Sequence, residues 1–257
     1  LGSSSRAINT LQYAIDFAAV LGGKVYVVQT FEVPKVAGTL KNINKVLTDK
    51  VKLELAQIME KVDTKGVEVI KCSIKGDLVS TIPILEKELN IDLVIASAKP
   101  VSIDSTLYLG AITGSIVKRT EIPMIIIPKD YKFKPYKKVM LGVRSGVLKH
   151  NDILNPLTYI VDLFKTSVSL VHIVTPKNFP EDNVLHDDFK AIANETIYTE
   201  NATVFQGVLE HINRISPDLL CVIRNKRGFL THLLETNSIN KIDFESRIPL
   251  LVLKGNL

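Results

Sequence analysis

The chain has 257 residues, a formal net charge of +5, 46% hydrophobic residues and 23% charged residues, which is the composition of a soluble globular protein. No apolar run reaches the roughly 18 residues of a membrane helix, and the start of the sequence shows no signal peptide, so we expect a cytoplasmic protein without membrane contact. Two cysteines, Cys72 and Cys221, lie in different halves, and we interpret both as small buried hydrophobic residues.

The excess positive charge is concentrated in residues 129–138, where lysines alternate with Tyr131, Phe133 and Tyr136. Basic residues interleaved with aromatic ones can indicate a nucleic-acid surface. The rest of the chain is nearly balanced in charge, which favours a solvated linker. We therefore expect no nucleic-acid partner.

In the first half, apolar periodicity predicts helices that alternate with strands. Gly22 and Gly23 end the first helix, and Asp77 is the predicted N-cap of the third. The predicted elements are helix 10–21, strand 24–30, helix 43–62, strand 67–74, helix 79–89, strand 93–96, helix 112–120 and strand 124–127.

The second half begins with a strand and continues the alternation. Its predicted elements are strand 137–143, helix 152–164, strand 167–174, a short helix near 184–194, strand 196–199, helix 203–215, strand 219–223, a helical stretch within 230–243 and strand 249–253. Strands that alternate with helices indicate a parallel sheet with right-handed crossovers.

The two halves repeat each other. Residues 92–96 read DLVIA and residues 218–222 read DLLCV, while EIPMIIIP at 121–128 matches RIPLLVLK at 247–254, so both matches are offset by 126 residues. A third match, LQYAIDF at 11–17 with LTYIVDL at 157–163, is offset by 146 residues. We interpret the chain as a tandem duplication, with one domain at 1–129 and a second, shorter domain at 137–257.

The predicted fold class is α/β, with two tandem, doubly wound, parallel five-stranded sheets of strand order 3-2-1-4-5, flanked by helices. The first domain lacks the equivalent of strand 137–143, because the first-helix match aligns Leu1 with Val147, which is already beyond that strand. Strand 1 is central in this order, and losing it would expose hydrogen-bonding edges. We expect the natural protein to begin upstream with a short apolar strand.

The loop after strand 93–96 is the predicted place for a ligand. An open α/β sheet binds ligands where a strand ends and a helix begins, because free N–H groups and the helix dipole point there. The loop is about 14 residues long, which is typical of functional loops in compact domains.

The segment LGAITGSIVKRTEIPMIIIP at 109–128, together with the repeated strand–helix unit, resembles the universal stress protein family. The resemblance covers both halves, and it implies a tandem two-domain member with a Rossmann-like fold and a role in the stress response. The second half looks like the degenerate second domain of such members, with RNKRGFL at 224–230 in place of the glycine loop.

The family's ATP-binding members carry Gly-x2-Gly-x9-Gly-Ser/Thr after the fourth strand. The glycines let the backbone approach phosphate, and the final Gly-Ser/Thr begins a helix whose N–H groups and hydroxyl receive phosphate oxygens. The first half retains one of the three glycines, and the second half retains none, with Ile223, Lys226, Thr236 and Asn237 at the corresponding positions. Pro100 removes a donor N–H. The candidate cofactor-binding residues implied by the resemblance are Ser97, Lys99, Gly110, Ala111 and Thr113.

The sequence shows no catalytic constellation, so we expect no enzyme. The five histidines lie in the second half without metal-ligand spacing, and His172 falls within an apolar strand as a hydrogen-bonded core residue. Three functions remain open: a non-catalytic stress or signalling module acting through protein contacts or an unidentified small ligand, an ATP-binding module using the first-half loop with slow hydrolysis, and an adenylating enzyme. The adenylating enzyme would need a Ser-Gly-Gly-x-Asp-Ser loop, which residues 144–147 do not supply.

The last strands of the two halves, at 124–127 and 250–253, are apolar sheet edges that need a partner. In the family such strands pair across a dimer. We therefore expect an internal pseudo-dimer through these strands, and a homodimer of two chains is a further possibility.

Overall fold

The computed structural model describes residues 5–32, 43–98, 111–224 and 247–255. Within them the first half follows the predicted alternation, with Asp77 capping α3 by accepting a hydrogen bond from the Ser80 amide. Its elements are α1 (Ser5–Leu21), β1 (Val25–Phe31), α2 (Ile43–Met59), β2 (Val69–Lys75), α3 (Leu78–Leu89), β3 (Val94–Ser97), α4 (Ala111–Arg119) and β4 (Met124–Ile127).

The second half also follows the prediction, except that two short 3-10 helices, Asn151–Leu154 and Pro180–Asn183, precede its first two α-helices. The predicted helical stretch within 230–243 lies outside the described residues. The elements are β5 (Lys138–Val143), α5 (Asn155–Phe164), β6 (Ser167–Val174), α6 (Asp187–Ile192), β7 (Glu195–Glu200), α7 (Val204–Ile215), β8 (Leu219–Arg224) and β9 (Leu250–Lys254).

The chain forms two compact units. The first, called unit 1, consists of Leu1–Ile91, Lys118–Thr120 and Lys129–Phe133. In unit 1, β1 and β2 form a two-stranded parallel sheet, and one face of it packs against α1 and α2. The core of this unit is apolar and almost fully excluded from solvent; its most buried members are Leu11, Ile15, Val27, Leu55 and Ile58.

The second unit, called unit 2, contains the rest of the chain and is built on one seven-stranded sheet of order β3-β4-β9-β8-β5-β6-β7. The second-half strands run β7-β6-β5-β8-β9, which corresponds to the order 3-2-1-4-5. The prediction of two separate sheets, one for each half, is wrong for the described residues, because β4 and β9 pair and join strands of both halves in one sheet. Among the described strands of the first half, β1 and β2 form a two-stranded sheet of their own, and β3 and β4 belong to the seven-stranded sheet.

The pairing of the two last strands, which we predicted, is present as the antiparallel contact between β4 and β9. We call this pair the seam. Its central pair is Ile125 with Leu251, and these two residues are each other's equivalents at the 126-residue offset of the repeat. The seam therefore has a local pseudo-twofold axis at that pair, and both side chains are fully buried.

The segment 129–138 was predicted to be a solvated linker, and this is wrong for its aromatic residues. In unit 1, the ring of Phe133 makes edge contacts with Tyr13 and Phe17 at centroid distances of 5.5 and 5.6 Å. In unit 2, Tyr136 is fully buried and its ring packs edge-on against Phe164 at 5.6 Å. These aromatic side chains bury apolar area in a core, which a run of sequence letters does not reveal.

The start of β5 is held by the carboxylate of Asp218. Its Oδ2 accepts hydrogen bonds from the backbone amides of Lys137 and Lys138 at 2.9 and 3.1 Å, and its Oδ1 lies 2.6 Å from Lys134 Nζ. Burial alone would raise the pKa of Asp218, but the hydrogen bonds from Lys134 and the two amides outweigh it and hold that pKa below its usual value. The contact fixes the first residues of a central strand.

Candidate functional site

The first-half candidate site lies where β3 ends and α4 begins. Ser97 is the last residue of β3, and the amide of the following residue, Ala98, donates to the Ile127 carbonyl at 3.1 Å. Ala111 is the first residue of α4, and Thr113 lies two residues further into its first turn. Of the five predicted residues, Ser97, Ala111 and Thr113 are therefore placed at one strand–helix junction, while Lys99 and Gly110 lie outside the described residues.

The hydroxyl of Thr113 is already used within the protein. Its Oγ1 donates to the Ser97 carbonyl at 3.1 Å, and the residue is only 6% exposed. A phosphate oxygen is a hydrogen-bond acceptor, so it needs a donor proton, and the proton of this hydroxyl is committed. The contact ties the helix start to the end of the strand.

In the second half the strand that corresponds to β3 is β8, and its last residue is Arg224, the equivalent of Ala98 at the 126-residue offset. Its guanidinium is buried and donates to the Val117 carbonyl in the last turn of α4, and it lies 3.4 Å from Glu121 Oε1. Glu121 also forms an ion pair with Lys254, whose Nζ lies 3.0 Å from Glu121 Oε2. The sequence did not single out Arg224 as a partner of Glu121, because only the sheet brings these distant residues together.

The end of β5 is closed off by a second buried contact. His172 is fully buried in β6, as predicted, and its Nε2 lies 3.1 Å from the Arg144 carbonyl and 3.0 Å from the Asp182 carbonyl. Two acceptors facing one nitrogen require that Nε2 carry the proton. Burial lowers the pKa of His172 below its usual value, and the two carbonyl contacts oppose this shift without overcoming it.

The loop after β5 is also joined directly to the segment that follows β6. The amide of Gly146 donates to the Asp182 carbonyl at 2.7 Å, and the amide of His186 donates to the Gly146 carbonyl at 2.8 Å. A Cβ at position 146 would stand 2.1 Å from the Val184 carbonyl oxygen, so a side chain cannot enter. Only glycine allows this approach, which covers the carboxyl end of β5 with polypeptide.

Within the described ranges, no group of three or more His, Cys, Asp or Glu side chains is arranged to hold a metal ion. In the same part of the chain, no helix combines the length and the apolar character needed to cross a membrane.

The sequence model of the universal stress protein family matches residues 1–128. The chain belongs to the universal stress protein family through this first half. No curated protein sequence matches it. The match ends at Pro128 and therefore contains the first-half candidate site, which lies between β3 and α4, and the neighbouring strand β4.

Solved universal stress proteins share the fold along nearly the whole chain. One from Archaeoglobus fulgidus DSM 4304 superimposes with a TM-score of 0.68 at 17% identity, covering 98% of this chain and 93% of that one. A putative one from Pseudomonas aeruginosa UCBPP-PA14 gives a TM-score of 0.60 at 15% identity, covering 95% and 87%. At these identities the likeness shows the fold alone, and it confirms the predicted class of parallel α/β sheets flanked by helices.

The same fold occurs in another setting. The cytoplasmic domain of a prokaryotic cation chloride cotransporter superimposes with a TM-score of 0.50 at 12% identity, covering 96% of this chain and 91% of that one. The fold by itself therefore does not decide between functions.

Proposed function

We propose that this chain is a non-catalytic stress-response or signalling module that acts through protein contacts or through a small ligand other than ATP. The observation that carries this proposal is the buried Thr113 hydroxyl, which donates to the Ser97 carbonyl. Ala111 stands at the Ser/Thr position of the family's motif and carries no hydroxyl. Thr113 offers a hydroxyl in the first turn of α4 instead, but that hydroxyl is already bonded to the end of β3.

The second half supports the same conclusion. At the end of β8, Arg224 points its guanidinium at Val117 and Glu121 of the first half. A buried arginine with these partners is a structural group, because freeing it to bind phosphate would remove the donor to the Val117 carbonyl and break its ion pair with Glu121. The end of β5, where the family's ligands approach the first strand, is covered by the segment bonded to Gly146.

The alternative function is an adenine-nucleotide-binding module that uses the first-half loop. It is favoured by the Gly110 position before α4 and by the helix N-terminus, whose amides suit anions. Under this alternative, phosphate would have to compete with the Ser97 carbonyl for the Thr113 hydroxyl.

Titration calorimetry of the full chain with ATP and Mg²⁺, together with mass spectrometry of copurified small molecules, separates the two functions. We expect no binding at micromolar concentrations and no copurified nucleotide. Micromolar binding that Gly110→Trp abolishes and Thr113→Val weakens at least tenfold would replace the proposal with the nucleotide-binding function.

The matched control is Thr203→Val. Thr203 caps α7 through its hydroxyl, which accepts a hydrogen bond from the Gln206 amide at 3.2 Å. The Thr203 variant therefore also removes a hydroxyl from a helix start, but from a helix other than α4. A nucleotide site at α4 predicts weaker binding for the Thr113 variant alone, whereas general destabilisation would weaken binding in both.

A further inference from the structure

The charged residues around the seam are distributed unequally between the two repeats. On the first-repeat side Glu121 stands just before β4, and on the second-repeat side Arg224 and Lys254 end β8 and β9. Glu121 pairs with both of them, at 3.4 Å and 3.0 Å. The side chain of Arg224 is only 9% exposed, whereas those of Glu121 and Lys254 are 38% and 52% exposed, so Arg224 is the member of the cluster whose charge is largely removed from water.

The pseudo-twofold axis at Ile125 and Leu251 gives each of these residues an equivalent on the other side of the seam. At the 126-residue offset, Glu121 corresponds to Arg247, Arg224 to Ala98, and Lys254 to Pro128. The cluster of one acidic and two basic residues therefore exists on one side of the axis. The equivalent positions on the other side hold Arg247, Ala98 and Pro128.

We propose that these charges make the seam specific for pairing a first repeat with a second repeat, and that they oppose symmetric pairing of two copies of the chain through the same strands. A symmetric interface places the same patch of both copies face to face. Two second repeats joined through β9 would bring Arg224 and Lys254 of one copy to Arg247 of the other, which assembles positive charge without an acid. Two first repeats joined through β4 would bring Glu121 to Ala98 and Pro128, which supply no cation.

The like-charge contact is the repulsive element that specificity against a wrong partner requires. Arg224 makes the wrong pairing costly because its guanidinium is buried, and a buried charge that loses its partner is strongly unfavourable. The favoured partner of each repeat is the other repeat of the same chain. Because the two repeats are covalently joined, each is also present at high effective concentration for the other. A homodimer of this protein would therefore use a surface other than the seam.

The test is a double exchange of charge, Glu121→Arg with Arg247→Glu, in the full chain. This leaves the net charge unchanged, sets Arg224 and Lys254 against an arginine within the chain, and offers them a glutamate on a second copy. Sedimentation velocity over a concentration series should show self-association at least tenfold tighter than that of the wild type.

The control is Arg247→Glu alone, which leaves Glu121 paired with Arg224 and Lys254 within the chain. We expect its sedimentation to match the wild type. If the double exchange does not fold, the milder pair Glu121→Gln with Arg247→Glu replaces it, and the proposal requires this pair to associate more tightly than Arg247→Glu alone. Unchanged association in the double exchange or in its milder replacement, or equal association in the control, would overturn the proposal.

Discussion

The carboxylate of Asp218 offers the sharpest test of how unit 2 is held together. Replacing it with alanine removes the acceptor for the amides of Lys137 and Lys138 and the ion pair with Lys134. Both lysines at the start of β5 are exposed, so water can take over the amides, and each lost bond then costs about 1 kcal/mol, at the low end for a charged acceptor. The Lys134 ammonium is 58% exposed, so its pairing adds less than about 1 kcal/mol.

The expected loss for Asp218→Ala is therefore about 2 to 3 kcal/mol of unfolding free energy, which corresponds to about 5 to 10 °C in Tm for a domain of this size. Asp218→Asn keeps an acceptor oxygen and should lose about half as much. Urea unfolding followed by circular dichroism at pH 7 measures both values. The matched control is Asp92→Asn, the equivalent carboxylate of the first repeat, which is exposed and should change stability by less than about 0.5 kcal/mol.

The pH dependence gives an independent check on the same contact. The pKa of Asp218 is held below its usual value, so its stabilising charge is present above about pH 4 and is lost as the pH falls through the lowered pKa. The difference between wild type and Asp218→Asn should therefore shrink as the pH falls below about 4. A difference that stays constant over this range, or an equal loss in Asp92→Asn, would refute the reasoning.

Three further outcomes follow from contacts within the second repeat. Because burial lowers the pKa of His172, acidification below about pH 6.5 should lower the unfolding free energy of the wild type, as followed by urea unfolding at a series of pH values. This pH dependence should be absent in His172→Gln and kept in His150→Gln, the control at an exposed histidine. Gly146→Ala should cost more than about 3 kcal/mol because its Cβ meets backbone, whereas Gly23→Ala, which meets nothing within 4 Å, should be nearly neutral in thermal unfolding. Thr203→Ala should lower stability by about 1 kcal/mol by removing the cap of α7, and Thr203→Ser should restore it.

The sequence alone predicted the alternation of helices and strands because apolar periodicity and capping residues are local signals. Asp77, for example, is an N-cap both by residue type and in the structure. The apolar edges of the last strands, together with the family resemblance, predicted that β4 pairs with β9, whereas the register with its centre at Ile125 and Leu251 is known only from the structure. Family-type reasoning also located the β3–α4 junction, where Ser97 and Thr113 meet.

What the sequence did not predict depends on contacts between distant residues. Arg224 ends an apolar strand like many arginines, and only the assembled sheet places it beside Glu121. The aromatic residues of the linker were read as solvated because their neighbours are lysines, although Tyr136 is fully buried. The Gly146 contact was also invisible, because nothing in the loop sequence indicates that the backbone of Val184 passes within reach.

The long separation between the two seam strands has a consequence for synthesis of the protein. Met124–Ile127 consists of four residues that are all buried in the finished sheet, yet its partner strand is made 126 residues later. At about 5 to 20 residues per second on the ribosome, β4 stays without β9 for about 6 to 25 s. During this delay Glu121, Pro123 and Pro128 flank an apolar strand as residues that disfavour aggregation. The nascent chain therefore has one unpaired edge of β4 until β9 has been synthesised.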